Sequence, residues 1–170
     1  TTPGDEPSVL VAMNPAALMA DLHRLELGGT VIINEDAFDE RNLEKAGYTV
    51  NPLDDDTLAS YRVLRVPMTS LTKEVCAPLG VKPRDAERSK NFFALGLVSF
   101  MFTRPIDPTL GWIAEKFGTN EQVEAANKAS FLAGFNFGET TEAVGHRYEV
   151  RPAELPVGEY TSITGNTALA

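Results

Sequence analysis

One cysteine, Cys76, and two histidines, His23 and His146, are all the chain has of these metal-binding residue types. A single thiol excludes an iron–sulfur cluster, a disulfide framework or a thiolate zinc site built from this chain alone. Basic residues are also outnumbered. Fifteen Lys and Arg stand against 24 Asp and Glu, and a net charge of −9 disfavours broad binding to nucleic acid or anionic lipid. Long apolar runs are missing: the longest, Phe92 to Phe102, has 11 residues, and a membrane-spanning helix needs about 20. The start, Thr1 to Ser8, is polar and acidic, without the basic and apolar regions of a signal peptide, so a cytoplasmic location is expected. No initiator methionine is present, so a fragment of a longer protein is expected. Catalytic signatures are lacking as well: there is no G-x-S-x-G elbow, no Walker loop and no G-x-G-x-x-G.

What remains is ample for a core. The chain has 170 residues, 43% of them hydrophobic, which suits one domain with a tail. Ser8–Met13 (SVLVAM), Thr30–Asn34 (TVIIN) and Tyr61–Val66 (YRVLRV) are short apolar runs bounded by turn residues, as buried parallel strands are. Thr49–Asn51 is a candidate for a further short strand. Asn14-Pro15 predicts a helix start, and apolar spacing carries that helix to Gly28-Gly29. After Pro67 the pattern turns helical: Ser70–Leu79, then one long helix over Asp85–Thr103, then a helix opened by Asp107-Pro108. Thr119 and Gln122 suggest a capping box for the last helix. The order predicts an α/β fold: an incomplete Rossmann-like, mostly parallel sheet covered by helices, with a helical C-terminal half. A sheet missing its first strand leaves an unpaired edge, which tends to associate. From about Gly145 the chain reads as an extended linker.

Charge is uneven. Residues 1–60 carry 3 basic and 12 acidic groups, residues 61–90 carry 7 and 3, and residues 91–170 carry 5 and 9. The basic middle is either a local anion site or a solvated helix face. Ligands of open α/β sheets sit beyond the C-terminal strand ends. Here those ends offer Asn14, Asn34, Thr69 and Ser70, all suited to hydrogen bonding and equally to capping turns. Asn91 stands where the basic stretch meets the apolar helix. Asn127, on an apolar helix face, needs a partner when buried. Cys76 reads as a buried structural thiol, Asp54–Asp56 as a turn, and His23 as a helix C-terminal residue.

Four segments, in this order, are similar to one family: VLVAMNPAAL, YRVLRVPMTSLTKEV, SKNFFALGLV and EKFGTNEQVEAANKASFLAGFNFGE. They resemble the gamma domain of 2-oxoacid:ferredoxin oxidoreductases, most of all the alpha subunit of the two-subunit 2-oxoglutarate type. The tail TSITGNTALA resembles the entry into the thiamine-pyrimidine domain that follows there. The resemblance implies a gamma domain over residues 1–144, without its N-terminal glycine-rich part, and a linker and domain start over 145–170.

It further implies a parent enzyme that decarboxylates 2-oxoglutarate on thiamine diphosphate and Mg. Electrons would pass through an iron–sulfur cluster to ferredoxin, and succinyl-CoA would form. The thiamine and cluster sites would lie on other domains or on the beta subunit, and the fragment alone would be inactive. By the resemblance, Asn91 matches an asparagine that approaches CoA, with Lys90 and Arg88 facing its phosphates. Two other readings remain at this point: a free-standing α/β small-molecule binding module, and a purely structural assembly domain. Neither involves nucleic acid or a membrane.

Overall fold

The computed structural model describes residues 6–141, 144–145, 147–149 and 154–161. Strand β1 (Val9–Ala12) leads into Asn14, whose Oδ1 accepts the Ala17 N–H at 2.9 Å. That bond caps α1 (Pro15–Asp21), with Pro15 at the first helical position. The helix is shorter than its apolar spacing predicts. It tightens into a 3-10 turn at Leu22–Arg24, where His23 lies, and Leu25 is already extended. Gly28, at a φ of 80°, turns the chain, and its N–H donates to the Ser60 carbonyl at 2.9 Å. Strand β2 (Thr30–Asn34) follows, buried along its whole length.

Helix α2 (Glu40–Ala46) was not anticipated. Asp39 caps it by accepting the Asn42 N–H at 2.9 Å, and Gly47 ends it at a φ of 88°. Thr49–Asn51 forms no strand. Asn51 instead builds a turn: its Oδ1 accepts the Leu53 N–H at 3.1 Å and its carbonyl the Asp54 N–H at 2.9 Å. Asp55 caps the next 3-10 turn through Thr57, so the acidic triplet is turn chemistry. Strand β3 (Arg62–Val66) completes a parallel sheet of order β1-β2-β3, with Val9 opposite Thr30 and Ile32 opposite Leu64. Among the described residues β1 and β3 are therefore the sheet's edges.

Helix α3 (Met68–Cys76) starts right after Pro67. The single long helix predicted over Asp85–Thr103 is instead α4 (Pro83–Ala86), a 3-10 turn at Glu87–Ser89, and α5 (Lys90–Met101). The break has a tertiary partner. Ser89 is buried, and its hydroxyl donates to Asn127 Oδ1 at 2.7 Å. Asp107 sits inside the first turn of α6 (Asp107–Phe117), not at its cap. The N-cap of α7 (Glu121–Thr140) is Asn120, which accepts the Val123 N–H at 3.2 Å. The predicted partner Gln122 donates to the Gly80 carbonyl instead.

Alternation along the strands splits the core in two. Ile32, Leu64 and Val66 pack with Met68, Phe93, Leu97 and Met101 on the helical side. Val31, Ile33 and Ala12 pack with Leu18, Leu25, Phe38 and Leu58 on the other. Helices α5 and α7 cross backbone to backbone. A Cβ at Gly96 would overlap the Phe131 carbonyl oxygen, and one at Gly134 would overlap that of Phe93. After α7 the chain returns to the end of α5. Tyr148 donates its N–H to the Met101 carbonyl at 2.6 Å, and its ring stacks on Phe102 with centroids 4.8 Å apart. Residues 154–161 carry no helix or strand and are exposed. His146 and the expected domain entry TGNTALA lie outside the described residues.

Candidate functional site

The C-terminal ends of the strands open onto a groove of about 930 Å³. Asn14, Pro15, Thr69 and Ser70 line it from the sheet end, Lys45 from α2, Lys73 from α3, and Lys90 and Asn91 from the start of α5. Five of the seven candidate residues thus meet in one place. The other two do not.

Asn34 is wholly buried and is a strut. Its Nδ2 donates to Thr69 Oγ1 at 3.0 Å and to the Met13 carbonyl at 3.5 Å, and its Oδ1 accepts the Thr69 N–H at 3.3 Å. One side chain therefore joins all three strand ends. Replacing Asn34 with leucine, close in volume, leaves the Thr69 groups without partners. The expected loss of stability is about 1–3 kcal/mol, read from denaturant unfolding.

Arg88 opens onto a different cavity, and its guanidinium lies 3.8 Å from the Asp85 carboxylate. A continuous helix would have set Arg88 and Asn91 three residues apart on one face. In the structure the two side chains nevertheless line different cavities.

Two acidic residues that sequence reasoning missed shape the groove. Asp36 Oδ2 accepts the Ser70 N–H at 2.7 Å and its Oδ1 the Ser70 hydroxyl at 2.9 Å. The first turn of α3, a natural place for an anion, is therefore already supplied with one from within. Glu87 lies between two ammonium groups, 3.3 Å from Lys73 Nζ and 3.4 Å from Lys90 Nζ. The lining holds three lysines and three carboxylates and is formally neutral. Two of its three lysines, Lys73 and Lys90, lie along the α3–α5 side, and Lys45 faces them from α2.

The hydrogen bond from Lys73, then the charges of Lys73 and Lys90, hold the Glu87 carboxyl below its ordinary value of 4.5, while partial desolvation opposes them. A depressed folded pKa gives stability that is complete above 4.5 and fades as pH falls through the lower folded value. Because the carboxylate is partly exposed, Glu87→Gln is expected to cost less than about 1 kcal/mol at pH 7. Denaturant titrations should show the difference closing as pH falls below 4.5.

The residues do not fit an iron–sulfur cluster. Cys76, the chain's one cysteine, is buried between α3 and α7, with its sulfur 3.6 Å from Ser130 Oγ. Among the described residues, no group of three His, Cys, Asp or Glu side chains could hold a metal ion. No described helix is long and apolar enough to cross a membrane.

Subunit KorA of the Mycobacterium tuberculosis 2-oxoglutarate oxidoreductase is 51% identical over 169 residues, covering 99% of this chain and 26% of that protein. The chain thus spans about a quarter of the length of the curated relative it matches. A solved structure titled as 2-oxoglutarate:ferredoxin oxidoreductase from Magnetococcus marinus, with 2-oxoglutarate, coenzyme A and succinyl-CoA bound, shares the fold. Its TM-score is 0.61 at 24% identity, over 89% of this chain and 23% of that one. Residues 1–137 match the family described as pyruvate ferredoxin/flavodoxin oxidoreductase, and the chain belongs to that family.

Proposed function

We propose that this chain is the CoA-facing gamma domain of a 2-oxoglutarate:ferredoxin oxidoreductase subunit. The parent enzyme converts 2-oxoglutarate, CoA and oxidised ferredoxin to succinyl-CoA, carbon dioxide and reduced ferredoxin. Thiamine diphosphate, Mg and the iron–sulfur cluster belong to its other parts: a fused thiamine-pyrimidine domain entered over residues 145–170, and a beta subunit. Ferredoxin meets the complex as a whole, in the cytoplasm. The groove carries the reading. It places Lys73 and Lys90 beside Asn91 at the strand ends, where α/β sheets take ligands.

A CoA phosphate would replace Glu87 as partner of the two lysines, and the Asn91 amide would bond a neutral part of the ligand. Asn14 and Ser70 already have backbone or carboxylate partners and serve to shape the groove. Arg88, on the other cavity, takes no part in this site. The relative's name and the neighbour's title point to 2-oxoglutarate as the substrate of those proteins, and shared ancestry supports the same acid here.

The test is dye reduction by the intact subunit purified with its partner, given 2-oxoglutarate or pyruvate, with and without CoA. CoA-dependent reduction on 2-oxoglutarate supports the proposal. Preference for pyruvate would move the substrate, and inactivity with both acids in a fully loaded preparation would favour a binding module.

A further inference from the structure

A second cavity, of about 510 Å³, lies where α5, α6 and α7 meet. Its size falls within the usual range for small-molecule sites, about 300–1,000 Å³. Phe92, Phe117 and Val123 form apolar walls, and the Phe92 and Phe117 rings meet edge to face at 5.7 Å. Asn127 lies on its floor and is 4% exposed. The Asn127 carbonyl oxygen accepts the Ser89 hydroxyl, and among the described residues its amide nitrogen has no partner. No fully covered side-chain nitrogen or oxygen in the described chain lacks one. The amide nitrogen therefore reaches open space, and the space Asn127 lines is this cavity.

An unpaired donor on a buried floor calls for an acceptor. The rim agrees. Arg88 stands there with a side chain 77% exposed, and Asp85, at 3.8 Å, engages only one side of its fork of donors. The N-terminal turn of α7 also opens on the cavity, and helix N-termini favour negative charge. Of the acids in that turn, Glu124 is already bridged to Lys128 at 2.6 Å.

We propose that this cavity binds a small, largely apolar carboxylate. The Asn127 amide and the Arg88 guanidinium donate to the carboxylate, and Phe92, Phe117 and Val123 enclose the apolar body. The site is separate from the groove at the strand ends and does not depend on the CoA reading.

The probe is hexanoate, with 1-hexanol as the uncharged control, titrated into the intact enzyme by ligand-observed NMR. Saturable hexanoate binding is expected, unaffected by excess CoA. Arg88→Gln, a surface change, should weaken hexanoate at least tenfold and leave hexanol unchanged. Val123→Trp, at the half-exposed mouth, should abolish both. Asn127→Leu should weaken hexanoate similarly if the variant folds, and the two rim variants decide the matter if it does not. Absence of saturable binding would mean the cavity holds only water and would overturn the proposal. So would displacement of hexanoate by CoA, or equal binding by wild type and both rim variants.

Discussion

Replacing Gly134 by alanine is expected to disrupt the packing of α5 against α7, at or above about 3 kcal/mol, the top of the usual overpacking range. The added Cβ would land on the Phe93 carbonyl oxygen, which belongs to a helical backbone and cannot swing aside as a side chain could. Gly96→Ala meets the Phe131 carbonyl in the same way from the opposite helix. Separation of these helices would expose Phe93, Leu97 and Phe131, all nearly or wholly buried. Each such side chain contributes about 1.5–3 kcal/mol by burial, so a small shift in helix spacing is costly. Gly111 in α6 is the control. Nothing lies within 4 Å of a Cβ there, so Gly111→Ala should stabilise by about 0.5–1 kcal/mol through helix propensity alone. Hydrogen exchange of the α5 and α7 amides in the intact subunit reads the effect locally. Protection should fall sharply in the first two variants and persist in the third.

The second large effect concerns CoA. Lys90→Ala should raise the KM for CoA about tenfold, and the double change with Lys73→Ala about a hundredfold. A charge-assisted bond is worth about 1.5–3 kcal/mol, and each 1.4 kcal/mol is a factor of ten. Because the lysines bind a non-reacting part of the substrate, kcat at saturating CoA should hold, and the KM for 2-oxoglutarate should not move. Glu87→Gln should act in the opposite direction, since it removes the carboxylate that now lies 3.3 Å and 3.4 Å from those ammonium groups. Steady-state kinetics with each substrate varied in turn separates these outcomes. A loss of kcat with an unchanged CoA KM would assign the lysines to structure.

The sheet was legible because its strands are apolar runs marked off by Asn, Gly and Pro, and that signal is local. The Asn14 cap was legible for the same reason. Helix α2 was missed because seven residues with Leu43 as their one large apolar side chain show no period. Thr49–Asn51 looked like a strand, but the Asn51 side chain folds onto the next backbone amide but one and makes a turn.

At the break between α4 and α5, Ser89 bonds Asn127, 38 residues further along the chain. Nothing near Ser89 announces it. Arg88 lines the cavity beside α7 and Asn91 the groove at the strand ends, so the predicted cluster divides between the two. Asp36 was invisible in the same way, because its partner Ser70 is 34 residues away. Asn34, predicted as a candidate ligand contact, uses its hydrogen-bonding capacity on Thr69 and Met13. The polar type was right for a strand end, and only the fold shows which way it is used.

A crystal structure of the intact enzyme complex with CoA bound would show whether the groove at the strand ends receives CoA. The expected result is a CoA phosphate within hydrogen-bond reach of Lys90 or Lys73, with the Asn91 amide on the same ligand and Glu87 turned away from at least one lysine. CoA bound elsewhere, with Glu87 still bridging Lys73 and Lys90, would contradict it.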